Sequence, residues 1–92
     1  MDFEWDEGKN RHNILRHGLD FADAWEIFRA PYVIDPDVRT DYGEDRWIVI
    51  GLLGSRTVVV AFTLPGAQTI RIISLRKASR HERKKFEEEI GD

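Results

Sequence analysis

The segment WIVIGLLGSRTVVVAFT, residues 47–63, contains two apolar runs on either side of the pair Gly54-Ser55. β-Branched and aromatic residues are frequent in both runs, and a two-residue pair with glycine between such runs is typical of a β-hairpin. We therefore predict one strand on each side of this turn. In that pairing Trp47 lies opposite Phe62, so the face of the sheet that carries these two side chains belongs to the core.

Helix and strand signals on both sides of the hairpin complete the pattern. Asp and Ser residues precede the expected helices, where their side chains accept hydrogen bonds from free backbone N–H groups, and Gly or Pro follows the helices. The expected elements, in chain order, are a strand at Phe3–Trp5, a helix from the N-cap Asp6 to His17, a helix from the N-cap Asp20 that Pro31 ends, a strand at Tyr32–Asp35, strands at Trp47–Leu53 and Arg56–Thr63, a strand from Thr69 to Leu75 or Arg76, and a helix that opens with the capping box of Ser79 and Glu82 and ends near Gly91.

These elements predict a single domain, residues 1–92, of the α+β class. Its centre is a twisted antiparallel β-sheet, a meander, with two N-terminal helices and one C-terminal helix. In the second helix, the side chains of Phe21, Ala24, Trp25 and Phe28 have the i, i+3, i+4, i+7 spacing of an α-helical stripe. We expect all four to lie in the core.

The composition excludes several classes of protein. Cysteine is absent, which excludes a disulfide framework, a thiol nucleophile and a cysteine-based zinc site. The longest uninterrupted apolar run, 48–53, is short and the N-terminus is acidic, so we expect neither a membrane span nor a secretory signal, and we predict a cytoplasmic location. His12 and His17 would lie about 140° apart around a helix, which disfavours a zinc pair, and no metal or other cofactor is expected.

Charge is distributed unevenly along the chain, although the formal net charge is only −3. Residues 1–45 carry twelve acidic and five basic side chains, whereas residues 46–85 carry nine basic side chains and one acidic side chain. This division predicts one surface that binds anions and a second surface that opposes it.

The expected strand register brings two arginines together on the face opposite the core. If Thr63 pairs with Thr69 in the next strand, Ala61 lies beside Arg71, and Arg46 lies on the other side of these small residues. Two guanidinium groups over short side chains would form a pocket for phosphate.

The same register places Arg56 opposite Arg76 on the other face. Two like charges directly opposite each other are unfavourable unless an acid or an anion lies between them. A β-bulge near Ser74 would also remove the conflict.

A set of residues from Phe3 to Phe86, most of the chain, matches a known pattern. The matching residues are Phe3-Glu4-Trp5-Asp6, Lys9, Asn13, His17-Gly18, Phe21, Gly43-Glu44-Asp45-Arg46, Ile50-Gly51, Arg71-Ile72-Ile73-Ser74, Arg76, Ala78 and Glu82-Arg83. Together they closely resemble the BrnT toxin family. The sequence departs from the family at Leu64-Pro65, where an Arg or Lys is usual.

The resemblance implies a ribonuclease toxin of a type II toxin–antitoxin pair, with a RelE-like α+β fold. It also implies that RNA cleavage stops translation. The implied partner is a BrnA-like antitoxin with a ribbon-helix-helix that binds operator DNA, so the toxin would meet DNA only through its antitoxin. The alternative from the residues alone is a non-catalytic module that binds RNA or docks an acidic antitoxin segment.

Cleavage of RNA without a metal ion needs a base for the 2′-OH proton and cations for the charge that develops on phosphorus. We expect Arg46, Arg71 and Arg76 to stabilise that charge. The alternative for each arginine is an ion pair with the acidic first half of the chain. His17 is the candidate base because it titrates near neutrality, but a histidine just before Gly18 also suits a cation at a helix C-terminus.

Other charged residues complete the expected site. Glu4 and Asp6 are further candidates for the base, although Asp6 already has a role as N-cap. Lys77 and Arg80 lead into the last helix, whose N-terminal end attracts phosphate, and with Lys9 they are the expected contacts to RNA.

Overall fold

Five strands and three helices make up residues 1–91, the part of the chain that the computed structural model describes. In chain order they are β1 Asp2–Trp5, α1 Glu7–His17, a 3₁₀ helix Phe21–Arg29, β2 Val33–Pro36, β3 Trp47–Leu53, β4 Arg56–Gly66, β5 Thr69–Lys77 and α2 Arg80–Ile90. The strands form one sheet in the order β1-β5-β4-β3-β2. The antiparallel meander from β2 to β5 confirms the predicted α+β architecture, whereas β1 pairs parallel to β5, so the sheet is mixed at this edge. No helix among these residues is long and apolar enough to cross a membrane.

The central hairpin has the predicted register. Trp47 pairs with Phe62, and the two strands are joined by a turn in which Gly54 has a φ of 64°. Glycine adopts this left-handed conformation without the steric cost that a Cβ would add. β4 continues beyond the predicted end at Thr63 as far as Gly66.

The pairing of β4 with β5 differs from the prediction. Thr63 lies opposite Arg71 instead of Thr69, and Thr69 pairs with Gly66. The predicted five-residue loop is wrong, because the longer β4 leaves only residues 67–68 to connect the strands.

A β-bulge in β5 changes which side chains share a face. Ile73 is an extra residue between two positions that pair with neighbouring residues of β4. The predicted pair of Arg56 with Arg76 is therefore wrong, and Arg76 lies opposite Val59. This bulge, next to Ser74, removes the conflict in the way expected from the sequence. Because of the extra residue, Arg71 and Arg76 occupy the same face, although a regular strand would place residues five apart on opposite faces.

The core face of the sheet packs against α1 and the 3₁₀ helix. The 3₁₀ helix buries Phe21, Ala24 and Ile27, whereas Trp25 is 43% exposed. The predicted core position of Trp25 is wrong because a 3₁₀ helix has three residues per turn, so every third side chain faces the sheet. The helix lies so close to β3 that a Cβ on Gly51 would be 2.7 Å from Ile27 Cγ2.

The opposite face is only partly covered. The side chain of Phe86 in α2 is buried in a second apolar cluster with Val33, Ile50 and Val59. Since α2 packs mainly on β2 and β3, it leaves the β1–β5 side of this face open.

A buried asparagine joins α1 to the edge of β5. β1 accompanies β5 only as far as the pair of Trp5 with Ile72. Beyond it, Asn13 Nδ2 donates hydrogen bonds to the backbone oxygens of Leu75 at 2.8 Å and Leu19 at 3.0 Å, while its Oδ1 accepts one from the Leu75 N–H at 3.2 Å. The side-chain amide thus takes the place of a neighbouring strand.

A second asparagine of α1 fixes the start of the 3₁₀ helix. Asn10 Oδ1 accepts a hydrogen bond from the Phe21 N–H at 2.9 Å, and Asn10 Nδ2 donates one to Asp20 at 3.0 Å. Asp20 caps the helix by accepting from the Ala22 N–H at 2.9 Å. The two helices on the core face are therefore linked by polar contacts as well as by packing.

The start of α2 confirms the predicted capping box. Ser79 Oγ accepts a hydrogen bond from the Glu82 N–H at 3.1 Å, and the Glu82 carboxylate accepts one from the Ser79 N–H at 2.9 Å. Arg76 donates two further hydrogen bonds to Glu82, both of 2.8 Å. The Arg76 guanidinium lowers the pKa of Glu82 to about 2.

Replacing Asn13 by alanine should lower the free energy of unfolding by about 2–4 kcal/mol, because buried backbone groups of Leu75 and Leu19 lose their partners. Urea denaturation measures this change. Arg11→Ala is the control, since Arg11 is an exposed residue of the same helix. A loss below about 1 kcal/mol for Asn13→Ala would contradict the structural role of the amide.

The pair of Arg76 with Glu82 should make stability depend on pH. Because the pKa of Glu82 is about 2 in the folded protein and 4.5 as a free side chain, the carboxylate stabilises the fold above pH 4.5, and this contribution is lost as the pH falls toward 2. We expect Glu82→Gln to be less stable than the wild type by of the order of 1 kcal/mol at pH 7, since the pair is partly exposed to water. Urea denaturation at neutral and acidic pH should show this difference shrinking with acid, and a constant difference would refute the assignment.

Candidate active site

The open part of the sheet face carries two of the three predicted arginines, Arg71 and Arg76, and the candidate base Glu4. We call this region the open face, and it consists of side chains from β1, β4 and β5. Its residues are Glu4, Ala61, Thr63, Arg71, Ser74 and Arg76.

The first feature of the open face is an ion pair between adjacent strands. Glu4 and Arg71 are partners in the β1–β5 register, and Arg71 Nε donates a hydrogen bond of 2.6 Å to Glu4 Oε2. Both side chains are about half exposed, at 43% and 58%. They line a cavity of about 580 Å³ together with Lys9. Two carboxylates, those of Glu4 and the N-cap Asp6, and two cations therefore line the same cavity.

Arg46 lies across the sheet from this pair. It directly precedes the pair of Trp47 with Phe62, which places it level with Thr63. Since Arg71 is the partner of Thr63 on the other side, the two arginines flank Thr63, one of the two small residues predicted, and the predicted place of Arg71 beside Ala61 is wrong. The cause is the longer hairpin between β4 and β5.

The Arg46 side chain is held from two sides. Its guanidinium carbon lies 3.8 Å from the centroid of the Tyr42 ring, a cation–π contact, and its Nε donates to Glu44 at 3.3 Å. Only 24% of the Arg46 side chain is exposed. The loop between β2 and β3 therefore sets the direction of this arginine.

A buried carboxylate organises that loop. The side chain of Asp37 is fully buried, accepts hydrogen bonds from Arg39 Nε at 2.8 Å and Nη2 at 2.9 Å, and accepts another from the Tyr42 hydroxyl at 3.2 Å. The bonds from Arg39 outweigh burial and lower the pKa of Asp37 to about 2. Asp37 N–H also donates to the carbonyl of Arg46 at 2.8 Å. Asp37 is thus connected to Arg46 through both Tyr42 and the backbone.

Sequence reasoning did not identify this cluster. Nothing in the pattern distinguishes Asp37 from the other acids of the loop, because its burial depends on how the loop folds over the sheet. Tyr42 was the better signal, since it is the one aromatic residue in the 37–45 segment and lies four residues before Arg46.

Arg76 and His17 lie at the other end of the open face. Arg76 is engaged by Glu82, and the positive charge of Arg39 acts on it as well. The pKa of His17 is lowered, first by desolvation and then by the charges of Arg16 and Arg76. His17 lines a cleft between α1 and β5 that includes Lys9 but not Arg71.

The remaining predicted contacts are dispersed. Lys77 pairs with Val58 and lies on the opposite face of the sheet, so its side chain is not on the open face with Arg71 and Arg76. Arg80 is the exposed first residue of α2. Among residues 1–91, no group of three or more His, Asp or Glu side chains is arranged to hold a metal ion.

Comparisons with known proteins show the family of this chain. The family model described as the ribonuclease toxin BrnT of type II toxin–antitoxin systems matches residues 5–82. The 1.1 Å crystal structure of the Brucella abortus ribonuclease toxin BrnT is 38% identical in sequence, with a TM-score of 0.72, and the similarity covers 87% of this chain and 99% of that chain. No curated protein sequence matches the chain. The family model spans most of the chain and the fold agrees with a solved member, so this protein belongs to the BrnT family of ribonuclease toxins of type II toxin–antitoxin systems.

Proposed function

We propose that this toxin cleaves RNA internally with its own side chains and without a metal ion. The observation that carries the proposal is the pair of Arg71 with Glu4 on the open face, in one cavity with Lys9. In this reaction a base takes the proton of a 2′-OH, the 2′-oxygen bonds to phosphorus, and the bond from phosphorus to the 5′-oxygen breaks as that oxygen takes up a proton. The charge that develops on the phosphoryl oxygens needs preorganised cations.

The geometry supports distinct roles for the residues around this pair. Arg71 binds the scissile phosphate, and Glu4 is released from Arg71 to accept the 2′-OH proton. Lys9 adds a second positive charge in the same cavity. Arg46, on the other side of Thr63, binds a phosphoryl oxygen with a guanidinium that the loop already orients.

The residues at the other end of the open face support the site in other ways. Arg76 contributes charge and anchors α2 through Glu82, and Arg80 meets the RNA backbone at the start of α2. His17 is the second candidate for the base, because its lowered pKa keeps the imidazole neutral at pH 7. Its position beside Arg76 rather than Arg71 favours Glu4.

The family implies an antitoxin partner and an RNA substrate. We propose that the antitoxin is BrnA-like, with a ribbon-helix-helix, and that the toxin contacts operator DNA only through it. An antitoxin that covers the open face would exclude RNA from Arg71, which is 58% exposed in the free toxin. The toxin would act in the cytoplasm, where cleavage of RNA stops translation. In the alternative, a non-catalytic module, the same arginines bind RNA or an acidic antitoxin segment without cleaving anything.

Arg71→Ala should abolish growth arrest and RNA loss on induced expression, because one preorganised donor to a developing charge contributes about 10²–10³ in rate. Binding of the antitoxin should persist, which gel filtration of the co-expressed pair would show. Arg56→Ala is the control, since Arg56 is exposed and lies on the core face beside the hairpin turn. If Arg71→Ala arrests growth as the wild type does, the catalytic role of Arg71 is wrong, and growth arrest with intact RNA in every variant would support the non-catalytic alternative.

Glu4→Gln should slow cleavage by about 10²–10⁴ and remove the acid limb of the pH–rate profile, because the amide cannot accept the 2′-OH proton. The assay uses purified toxin, a defined RNA and excess EDTA. His17→Gln is the comparison, and we expect it to keep that limb. Loss of the limb in His17→Gln alone would move the base to His17, and loss of wild-type cleavage in EDTA would contradict the metal-free mechanism.

A further inference from the structure

A basic cleft lies beside the open face, between α1 and the bulge of β5. Its volume is about 410 Å³. On its helix side, Lys9, His12 and Arg16 follow the i, i+3, i+7 spacing that aligns side chains along one face of a helix. His17 and the bulge residue Ile73 also line it. The cleft therefore runs along α1 with a row of basic side chains on one wall.

Within residues 1–91, the cations of this cleft lack the carboxylate partners that the three predicted arginines have. Arg46, Arg71 and Arg76 each pair with a carboxylate. Among residues 1–91, no ion pair involves the side chain of Lys9, His12, Arg16 or His17. All four are exposed residues.

One acidic residue lines the cleft, and it is already occupied. Asp6 is the N-cap of α1, and its carboxylate accepts a hydrogen bond from the Lys9 N–H at 2.9 Å. The pKa of His17 is lowered first by desolvation and then by the positive charges of Arg16, Arg76 and His12. In a protein of net charge −3, the cleft is a localised site for a polyanion.

The cleft is continuous with the cavity of the proposed reaction. The two spaces share Asp6, Lys9 and Ile73 as lining residues, and the second one contains Glu4 and Arg71. A nucleotide chain with one phosphate at Arg71 would therefore have its next phosphates beside Lys9 and then beside the following turns of α1. An acidic protein segment would also suit the cations, but this continuity favours RNA.

We propose that the basic face of α1, through His12 and Arg16, binds the RNA backbone next to the cleaved bond and so forms a subsite for flanking nucleotides. This inference rests on the proposed function, because it assumes that RNA is cleaved at Arg71. The contacts are to phosphates, so they raise affinity for RNA without selecting a base sequence.

Fluorescence anisotropy with a labelled 2′-O-methyl RNA of about 16 nucleotides tests the subsite, because the blocked 2′-oxygen separates binding from cleavage. We expect Arg16→Gln to raise Kd roughly threefold to tenfold at low salt and to reduce the slope of log K against log salt by about 0.7, the value for one lost phosphate contact in a single strand. His12→Gln should add a smaller increase in Kd. Arg11→Gln is the matched control, since Arg11 is an exposed arginine of α1 that does not line the cleft.

The outcomes separate the subsite from the cleavage site. If Arg16→Gln binds RNA with unchanged Kd and slope while Arg71→Ala binds more weakly, the subsite is overturned and the proposed reaction stands. If Arg16→Gln and Arg11→Gln weaken RNA binding equally, the effect comes from the general surface charge, and the subsite is overturned as well. If the wild type does not bind this RNA, both proposals fail. Loss of binding to polyglutamate by Arg16→Gln, with unchanged binding to RNA, would assign the cleft to an acidic protein segment instead.

Discussion

The carboxamide of Asn13 is the contact on which the arrangement of this small protein depends. By bonding both backbone groups of Leu75, it continues the edge of β5 where β1 has ended, and buried peptide groups that would lack partners are satisfied. The same amide binds the carbonyl of Leu19, so α1 and the turn after it are fixed relative to the sheet. Lys9 and His17 are therefore held beside β5 by a buried hydrogen-bond network and not by surface contacts.

Ion pairs with carboxylates of the first half of the chain explain how an acidic protein offers a cationic site. Glu4 and Glu44 come from the acidic first half of the chain and orient Arg71 and Arg46 before any ligand arrives. A phosphate that replaces such a carboxylate meets a guanidinium whose rotamer is already restricted, which reduces the entropy lost on binding. The cations of α1 have no such partners in the part of the chain that the structure describes, so their field extends into solvent and attracts anions from a distance.

Local signals predicted the parts of the fold that depend on neighbouring residues. The glycine turn between two apolar runs predicted the register of Trp47 with Phe62, and the spacing of Ser79 and Glu82 predicted the capping box. The exposure of Trp25 could not be predicted in this way, because its spacing also fits an α-helical stripe and the segment is a 3₁₀ helix packed closely on β3. The parallel pairing of β1 and the burial of Asp37 also depend on contacts made after the chain folds. For the site, charge patterning indicated the arginines but not their carboxylate partners.

The extra residue in β5 links the site to the anchoring of α1. Successive side chains of a regular strand point to opposite faces of the sheet. Because Ile73 is an extra residue, every later side chain of β5 lies on the face opposite to the one that regular alternation would give. If β5 paired regularly with Ile73 retained, Arg76 would turn away from Arg71 and, in the same event, the backbone groups of Leu75 would turn away from Asn13. Straightening the bulge would therefore damage both the arginine arrangement and the attachment of α1. The odd spacing of Arg71 and Arg76 and the extra residue Ile73 compensate each other, so function and folding both depend on keeping the two together.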